Sequence, residues 1–143
     1  MGDEALVGAI MAVRSQVDFV WQFFVTVHIA VFAMLFVYDH AVEAMNWVAR
    51  LFALAGIAMF DWINGNALRI NYQLLDALHE QFRFQFAKPG AFAPLFYDRF
   101  VLSSFIERPR IVMVTHTTAF VVVVLALFWR RFIQTGSRPG ADR

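Results

Sequence analysis

Three long runs of apolar residues dominate the chain, and each has the length of a helix that crosses a lipid bilayer. They cover residues from about 17 to 38, from about 47 to 63 and from about 111 to 131. A membrane-spanning helix needs about 20 mostly apolar residues, since each residue adds about 1.5 Å to its length. Aromatic residues with a polar edge favour the membrane surface, and four lie near the ends of the runs: Tyr38, Trp47, Trp62 and Trp129. The pattern therefore predicts an all-α integral membrane protein with three transmembrane helices.

After the second run, the pattern changes from uniformly apolar to amphipathic. Between residues 69 and 83, polar residues recur at spacings of three and four, while Ile70, Leu74 and Phe82 fall on the opposite face. This is the period of an α-helix with one apolar side. We therefore expect an amphipathic helical extension between transmembrane helices two and three, which continues the second helix to about Phe86.

Prolines and glycines predict how the chain returns from this extension to the third run. The sequence Lys88-Pro89-Gly90 is typical of a turn. Proline is favoured in the first turn of a helix, so Pro94 predicts the start of an interfacial helix over about residues 94–107.

The two ends of the chain differ in composition. Asp3 and Glu4 stand where a cleaved signal peptide would be basic, so we expect the first helix to be retained and extended outwards by residues 5–16. Residues 1–134 are predicted to form a single membrane domain. Residues 135–143, which are rich in Gly, Ser, Pro and Arg, are predicted to form a flexible tail.

The overall composition supports a membrane location and removes several classes of function. Hydrophobic residues make up 60% of the chain and charged residues 16%, and the mean hydropathy is +0.58; soluble domains have about 45–50% and about 25%. The net charge of +1 gives no reason to expect a nucleic-acid partner. Without cysteine there are no disulfides, thiolate metal sites or cysteine nucleophiles. We expect a multi-pass protein in contact with lipids, in the inner or plasma membrane if the source is bacterial.

Polar residues within and beside the apolar runs are candidates for an intramembrane site, because a charge near the middle of a bilayer costs several kcal/mol. Three crossings bring the starts of helices one and three to the same side as the end of helix two. The predicted cluster, a candidate ion, proton or ligand path, is Arg14, Asp18, Gln22, Thr26, Asp61, Asn64, Thr115 and His116. The alternative is that these side chains only join helices through hydrogen bonds.

Two histidines in the apolar runs suggest a more specific chemistry. His28 and His116 lie on helices that run in the same direction, and paired histidines of this kind can ligate a b-type haem. The same residues could instead relay protons or hold a metal ion with Asp61, or bridge helices as neutral imidazoles. No other cofactor is predicted. His40 and His79 fall at positions that we expect to be solvated.

The connection between helices two and three is rich in aromatic residues, which would form an adhesive patch in water. The predicted protein-contact surface consists of Phe96, Tyr97, Phe100 and Phe105. Burial against the membrane surface or against the protein's own helices is the alternative.

Three functions are compatible with the sequence. The favoured one is non-enzymatic: an accessory or scaffold subunit, or a self-associating component of a membrane complex, since a chain this small has little interior of its own. The second is an oligomeric ion or proton channel lined by the polar stripe of the first helix. The third is a haem- or quinone-linked redox protein that uses His28 and His116. Motifs for phosphate binding, zinc hydrolysis or a nucleophilic serine do not occur in the sequence.

Overall fold

The computed structural model describes the backbone of residues 2–86, 88, 90 and 92–136, and their side chains except at positions 3, 39, 41 and 129–136. This part of the chain is helical and contains no strand, so the all-α prediction is confirmed. Its elements are α1 (Asp3–Val37), α2 (Asp39–Ala44), α3 (Trp47–Phe86), α4 (Pro94–Phe96) followed directly by a π-helical turn (Tyr97–Val101), and α5 (Arg108–Gly136).

Among the described residues, three helices are long and apolar enough to cross a membrane: α1, α3 and α5. α1 has 35 residues and α3 has 40, which correspond to helix lengths of about 50 and 60 Å. Both helices are therefore longer than the apolar layer of a bilayer, which is about 30 Å thick. Residues 5–16 continue α1, and α3 passes through Asn64-Gly65-Asn66 without a break to Phe86, as the sequence pattern predicted.

The connection from α3 to α5 is less helical than predicted. The helix expected over residues 94–107 ends at Val101, including its π-helical turn. The carboxylate of Asp76 accepts a hydrogen bond from the backbone N–H of Phe105 at 2.8 Å, and one from the hydroxyl of Ser104 at 3.5 Å. The Ser103 hydroxyl donates to the Arg99 carbonyl. These side-chain bonds compete with helical ones and end the helix.

Smaller differences concern the other ends of the elements. α5 begins at Arg108, three residues before the predicted start, and it continues to Gly136, so the first two residues of the predicted tail are helical. The remainder of that tail, residues 137–143, lies outside the described residues. In the predicted turn, Gly90 has φ 81°, a left-handed conformation that favours glycine, while Pro89 is not among the described residues.

Two apolar cores lie along the bundle of α1, α3 and α5. The larger cluster, here called the wide core, joins the first half of α1 to the second half of α3, to the start of α5 and to the α4 region. It consists of Leu6, Ile10, Val17, Leu68, Tyr72, Leu75, Phe82, Val101 and Val112. The narrow core lies at the opposite end and consists of Leu35, Val123 and Leu127. In sequence order along all three helices, the stretch between the two cores carries the polar residues described below.

Arg50 closes the bundle at the narrow end. It is buried, and its guanidinium donates to three backbone carbonyls, those of Leu127 at 2.7 Å, Val42 at 3.0 Å and Met45 at 3.2 Å. One side chain therefore joins α3 to α5 and to the α2 region. The planar, multiply donating guanidinium is suited to this because its N–H groups point in several fixed directions.

Candidate functional site: a buried histidine and carboxylate network

Four polar side chains meet between the two cores, and each is almost completely enclosed. They are His28 on α1, Asp61 and Asn64 on α3, and His116 on α5. Buried polar groups are expensive unless they are hydrogen-bonded. The hydrogen-bond partners of these four side chains therefore indicate which chemistry the cluster supports.

His28 holds one ring nitrogen against its own helix and points the other at a carboxylate. Its Nδ1–H donates to the carbonyl of Phe24, one turn earlier, at 3.0 Å. The Nε2 atom lies 3.4 Å from Oδ1 of Asp61. Among the described residues, neither this Nε2 nor either carboxylate oxygen of Asp61 has a hydrogen-bond partner. The imidazole and the carboxylate thus face each other without a hydrogen bond, and both Asp61 oxygens retain unused acceptor capacity.

His116 lies between two hydrogen-bond acceptors. Its Nδ1 is 2.8 Å from the carbonyl oxygen of Val112, and its Nε2 is 2.9 Å from Oδ1 of Asn64. The amide nitrogen of Asn64 donates to the carbonyl of Val20 at 3.2 Å, which fixes the amide orientation, because a flipped amide would place two oxygens in contact. A neutral imidazole has one N–H and an imidazolium has two. Only the doubly protonated ring donates at both of its nitrogens.

Close packing fixes the two imidazoles in place. The Phe24 ring lies against both of them, with its centroid 4.2 Å from that of His28 and 4.0 Å from that of His116. A Cβ atom added to Gly65 would lie 3.3 Å from Cδ2 of His116, so this glycine permits α3 and α5 to approach closely at the network. Beside it, the indole N–H of Trp21 donates to the Tyr72 hydroxyl at 2.9 Å.

The same geometry bears on the expectation of a haem held by His28 and His116. Phe24 lies against both rings, and the Nε2 atoms face Asp61 and Asn64. A haem between the histidines would require Phe24 to move aside and both nitrogens to leave these neighbours. Within the part of the chain that the structure describes, no group of three or more His, Asp or Glu residues is placed to hold a metal ion. Haem ligation stays a prediction that this arrangement does not favour.

A groove between α3 and α5 leads to the network. Its volume is about 360 Å³, and Asp61 and His116 line it directly. Small-molecule sites have volumes of about 300–1,000 Å³. Arg69 lies at one end of the groove and Phe120 at the other.

The polar cluster predicted from the sequence is divided by the fold. Asp61, Asn64 and His116 come together, and His28 joins them. The α1 stripe, consisting of Arg14, Asp18, Gln22 and Thr26, is exposed on the outside of the bundle. The hydroxyl of Thr26 donates to the Gln22 carbonyl of its own helix at 2.8 Å. Thr115 is half-buried beside His116.

The aromatic residues of the connection pack mainly within the chain. Tyr97, Phe100 and Phe105 lie against the wide core, and Phe96 is the more exposed member of the predicted contact surface. The expectation that His79 is solvated is wrong. It is 3% exposed and lies 5.0 Å from Phe100 and 5.3 Å from Phe105, measured between ring centroids. The face of α3 that carries His79 is covered by the connection between α3 and α5.

Sequence reasoning did not identify Phe24 or Gly65 as part of the site. Phe24 precedes His28 by one helical turn, but this spacing is common in apolar helices and carries little information. Gly65 lies in an Asn-Gly-Asn sequence, which is more typical of a turn than of a helix contact, whereas its structural use is close helix packing. Comparison with protein-family models, curated proteins and solved structures found no match for this chain.

Proposed function

We propose that the chain crosses a membrane three times and that the buried network is a proton-binding site of a membrane component. The exposure of the three long helices supports the membrane location. In the most apolar 18-residue window of each helix, only 17%, 17% and 22% of the residues are buried. The other apolar side chains face outwards, where lipid tails accommodate them and water does not.

The position of His116 between the Val112 carbonyl and the Asn64 amide oxygen carries the proposal. A neutral ring in either tautomer leaves one nitrogen lone pair facing an oxygen at less than 3 Å. A second proton on His116 removes this repulsion, and a proton between His28 and Asp61 joins their unpaired atoms. The network as a whole therefore gains hydrogen bonds when it takes up protons.

Access to the network differs on its two sides. The groove reaches Asp61 and His116 from the side of Arg69. At the opposite end of the bundle, the apolar side chains of the narrow core fill the space between the helices. There Arg50 also joins α3 to the Leu127 carbonyl of α5. This asymmetry favours proton uptake from one side over conduction through a single chain, and it suits a component that responds to or delivers protons within a larger assembly.

Solid-state NMR of ¹⁵N-histidine-labelled protein in lipid bilayers tests the proposal. We expect His116 to gain a second ring proton as the pH is lowered within the range in which the protein stays folded. In Asp61→Asn the doubly protonated fraction of His116 should fall, since the nearby negative charge is lost. Asp18→Asn, at an exposed position on α1, is the matched control and should leave the signals unchanged. A neutral His116 throughout this pH range would refute the proposal.

The second candidate function is association with other proteins, as an accessory or self-associating subunit. The exposed α1 stripe favours it, because Gln22 presents an amide on the outside of an apolar helix. In a membrane, such a group gains hydrogen bonds when another protein covers it. If several copies associate through this face of α1, the same stripe would line a polar path between them.

Native mass measurement after gentle detergent extraction tests this candidate. We expect a mass above that of one chain, and a shift towards the single chain in Gln22→Leu. Gln73→Leu, exposed on the second half of α3, should leave the mass unchanged. A single-chain mass for the unmodified protein would remove the candidate. If association is found, loss of ion flux in liposomes for Asp18→Ala would identify the associated stripe as a path.

A further inference from the structure

The groove between α3 and α5 has a polar end, an apolar end and a carboxylate between them. Arg69 lies at the polar end, and its guanidinium donates to the Asn66 amide oxygen at 2.9 Å. Ala58 and Phe120 lie at the apolar end. This order matches that of an amphiphile, whose head lies near the membrane surface and whose chain extends among the lipid tails.

Asp61 is the group in the groove that requires a partner. It is 7% exposed and lines the groove, yet among the described residues both of its oxygens lack a hydrogen-bond donor. A buried acceptor without a donor is destabilising, and more so when it is charged. A ligand with an O–H group would satisfy it, and hydrogen bonds from hydroxyl groups to carboxylates are among the strong ones.

The charges around the groove favour a neutral donor over an ion. His28 lies beside Asp61 and can supply the balancing proton. The guanidinium of Arg69 at the polar end repels a cationic head, and the carboxylate of Asp61 repels an anionic one.

The walls of the groove favour a flat ring. Trp62 and Met113 form its exposed sides, and both are more than half exposed. Indole and thioether groups make favourable contacts with aromatic rings. An aromatic head would cover these two side chains while its hydroxyl group reaches Asp61.

We propose that this groove binds the head of a neutral aromatic amphiphile of the phenol or hydroquinone class, whose hydroxyl group donates to Asp61. The inference rests on the proposed membrane location, and it shares Asp61 with the proposed proton site. It concerns binding and includes no electron transfer.

The test measures how decyl-hydroquinone distributes between vesicles that contain the full chain and vesicles without protein, under anaerobic conditions. We expect saturable binding to the unmodified protein. The dimethyl ether of the same compound has the same ring but no O–H group, and should bind at least about tenfold more weakly, as expected for the loss of a hydrogen bond to a charged group. Dodecanol, which has a hydroxyl group but no ring, and dodecylamine, which is cationic, should also bind more weakly.

Two variants, each with a control variant, locate the binding site. Asp61→Ala should weaken binding of decyl-hydroquinone about tenfold or more, and Asp18→Ala should not. Met113→Trp fills the groove while Asp61 stays in place, and should abolish binding. Met59→Trp, also exposed on the bundle but outside the groove lining, is its matched control and should bind normally.

Equal binding of the hydroquinone and its ether would overturn the inference, and so would equal or stronger binding of the amine or the alcohol. Unchanged binding in Asp61→Ala or in Met113→Trp would also overturn it. So would the absence of saturable binding. His116 NMR spectra of the same samples separate this result from the proton proposal. Doubly protonated His116 without hydroquinone binding would refute only the groove ligand, and hydroquinone binding with neutral His116 would refute only the proton site.

Discussion

The two ends of the three-helix bundle are held together by different kinds of contact. At the wide end, nine buried apolar residues from α1, α3, α5 and the α4 region form one core, and aromatic side chains of the connection pack around it. At the narrow end, three buried apolar residues are accompanied by the hydrogen bonds of Arg50 to three backbone carbonyls.

This difference matches the surroundings proposed for each end. Burial of apolar surface stabilises a fold in water. The wide core includes the amphipathic half of α3, which the sequence pattern predicts to lie outside the bilayer. Between helices in lipid that driving force is absent, so hydrogen bonds and close packing hold them together instead. The buried network of His28, Asp61, Asn64 and His116 lies between these two ends of the bundle.

The largest expected effect tests the wide core. Leu75→Ala removes a side chain that is 1% exposed and should lower the free energy of unfolding by about 3 kcal/mol, the range for buried leucines being about 2–5 kcal/mol. The adjacent Leu74 is exposed, so Leu74→Ala should cost less than about 0.5 kcal/mol. Equilibrium unfolding in mixed micelles measures both. Equal losses for the two variants would contradict a water-driven core here.

Arg50→Met tests the narrow end. The change leaves the carbonyls of Leu127, Val42 and Met45 without this donor and should cost about 2 kcal/mol, since hydrogen bonds to charged groups contribute about 1.5–3 kcal/mol each and removal of a buried charge offsets part of the loss. Hydrogen exchange should accelerate in α2 and the second half of α5, with α1 residues 3–16 unaffected. Arg50→Lys keeps the charge but lacks the guanidinium geometry. Its loss of stability should lie between zero and that of Arg50→Met. Unchanged exchange in α2 would contradict the assignment.

Gly65→Ala acts at the buried network, between the two ends of the bundle. The added Cβ at 3.3 Å from His116 forces a small displacement and should cost about 1 kcal/mol. The ¹⁵N signals of His116 should shift more than those of His40, which lies on the surface. Gly56→Ala has open space around its Cβ and serves as the control. Identical His116 signals in both variants would show that the helices do not meet as described.

The last comparison tests the single neutral hydrogen bond beside the network. Trp21→Phe removes the N–H that the Tyr72 hydroxyl accepts and should cost about 1 kcal/mol beyond the loss of ring area. Tyr72→Phe removes the other partner. If the two groups contribute through one shared bond, the double variant should be less destabilised than the sum of the single ones. Strict additivity would mean that this bond contributes nothing.

The sequence by itself determined the three long apolar helices and the continuation of α3 to Phe86. Both depend on properties that are local to the chain, namely the length of an apolar run and its period of 3.6 residues. It also identified all four network residues as candidates, because each is a polar residue within or beside an apolar run. Asp61, Asn64 and His116 belong to the predicted polar cluster, and His28 is a separate candidate as a ligand.

Tertiary structure decided which face of each helix points inwards. Thr26 and His28 are two residues apart on α1, about 200° around the helix, and the sequence gives no means of telling which of them meets α3. The fold buries His28 against Asp61 and leaves Thr26 outside with the rest of the stripe. It likewise ends the predicted 94–107 helix through Asp76, which lies 29 residues before Phe105 in the chain. Contacts between such distant residues depend on how the helices pack, which no local pattern records.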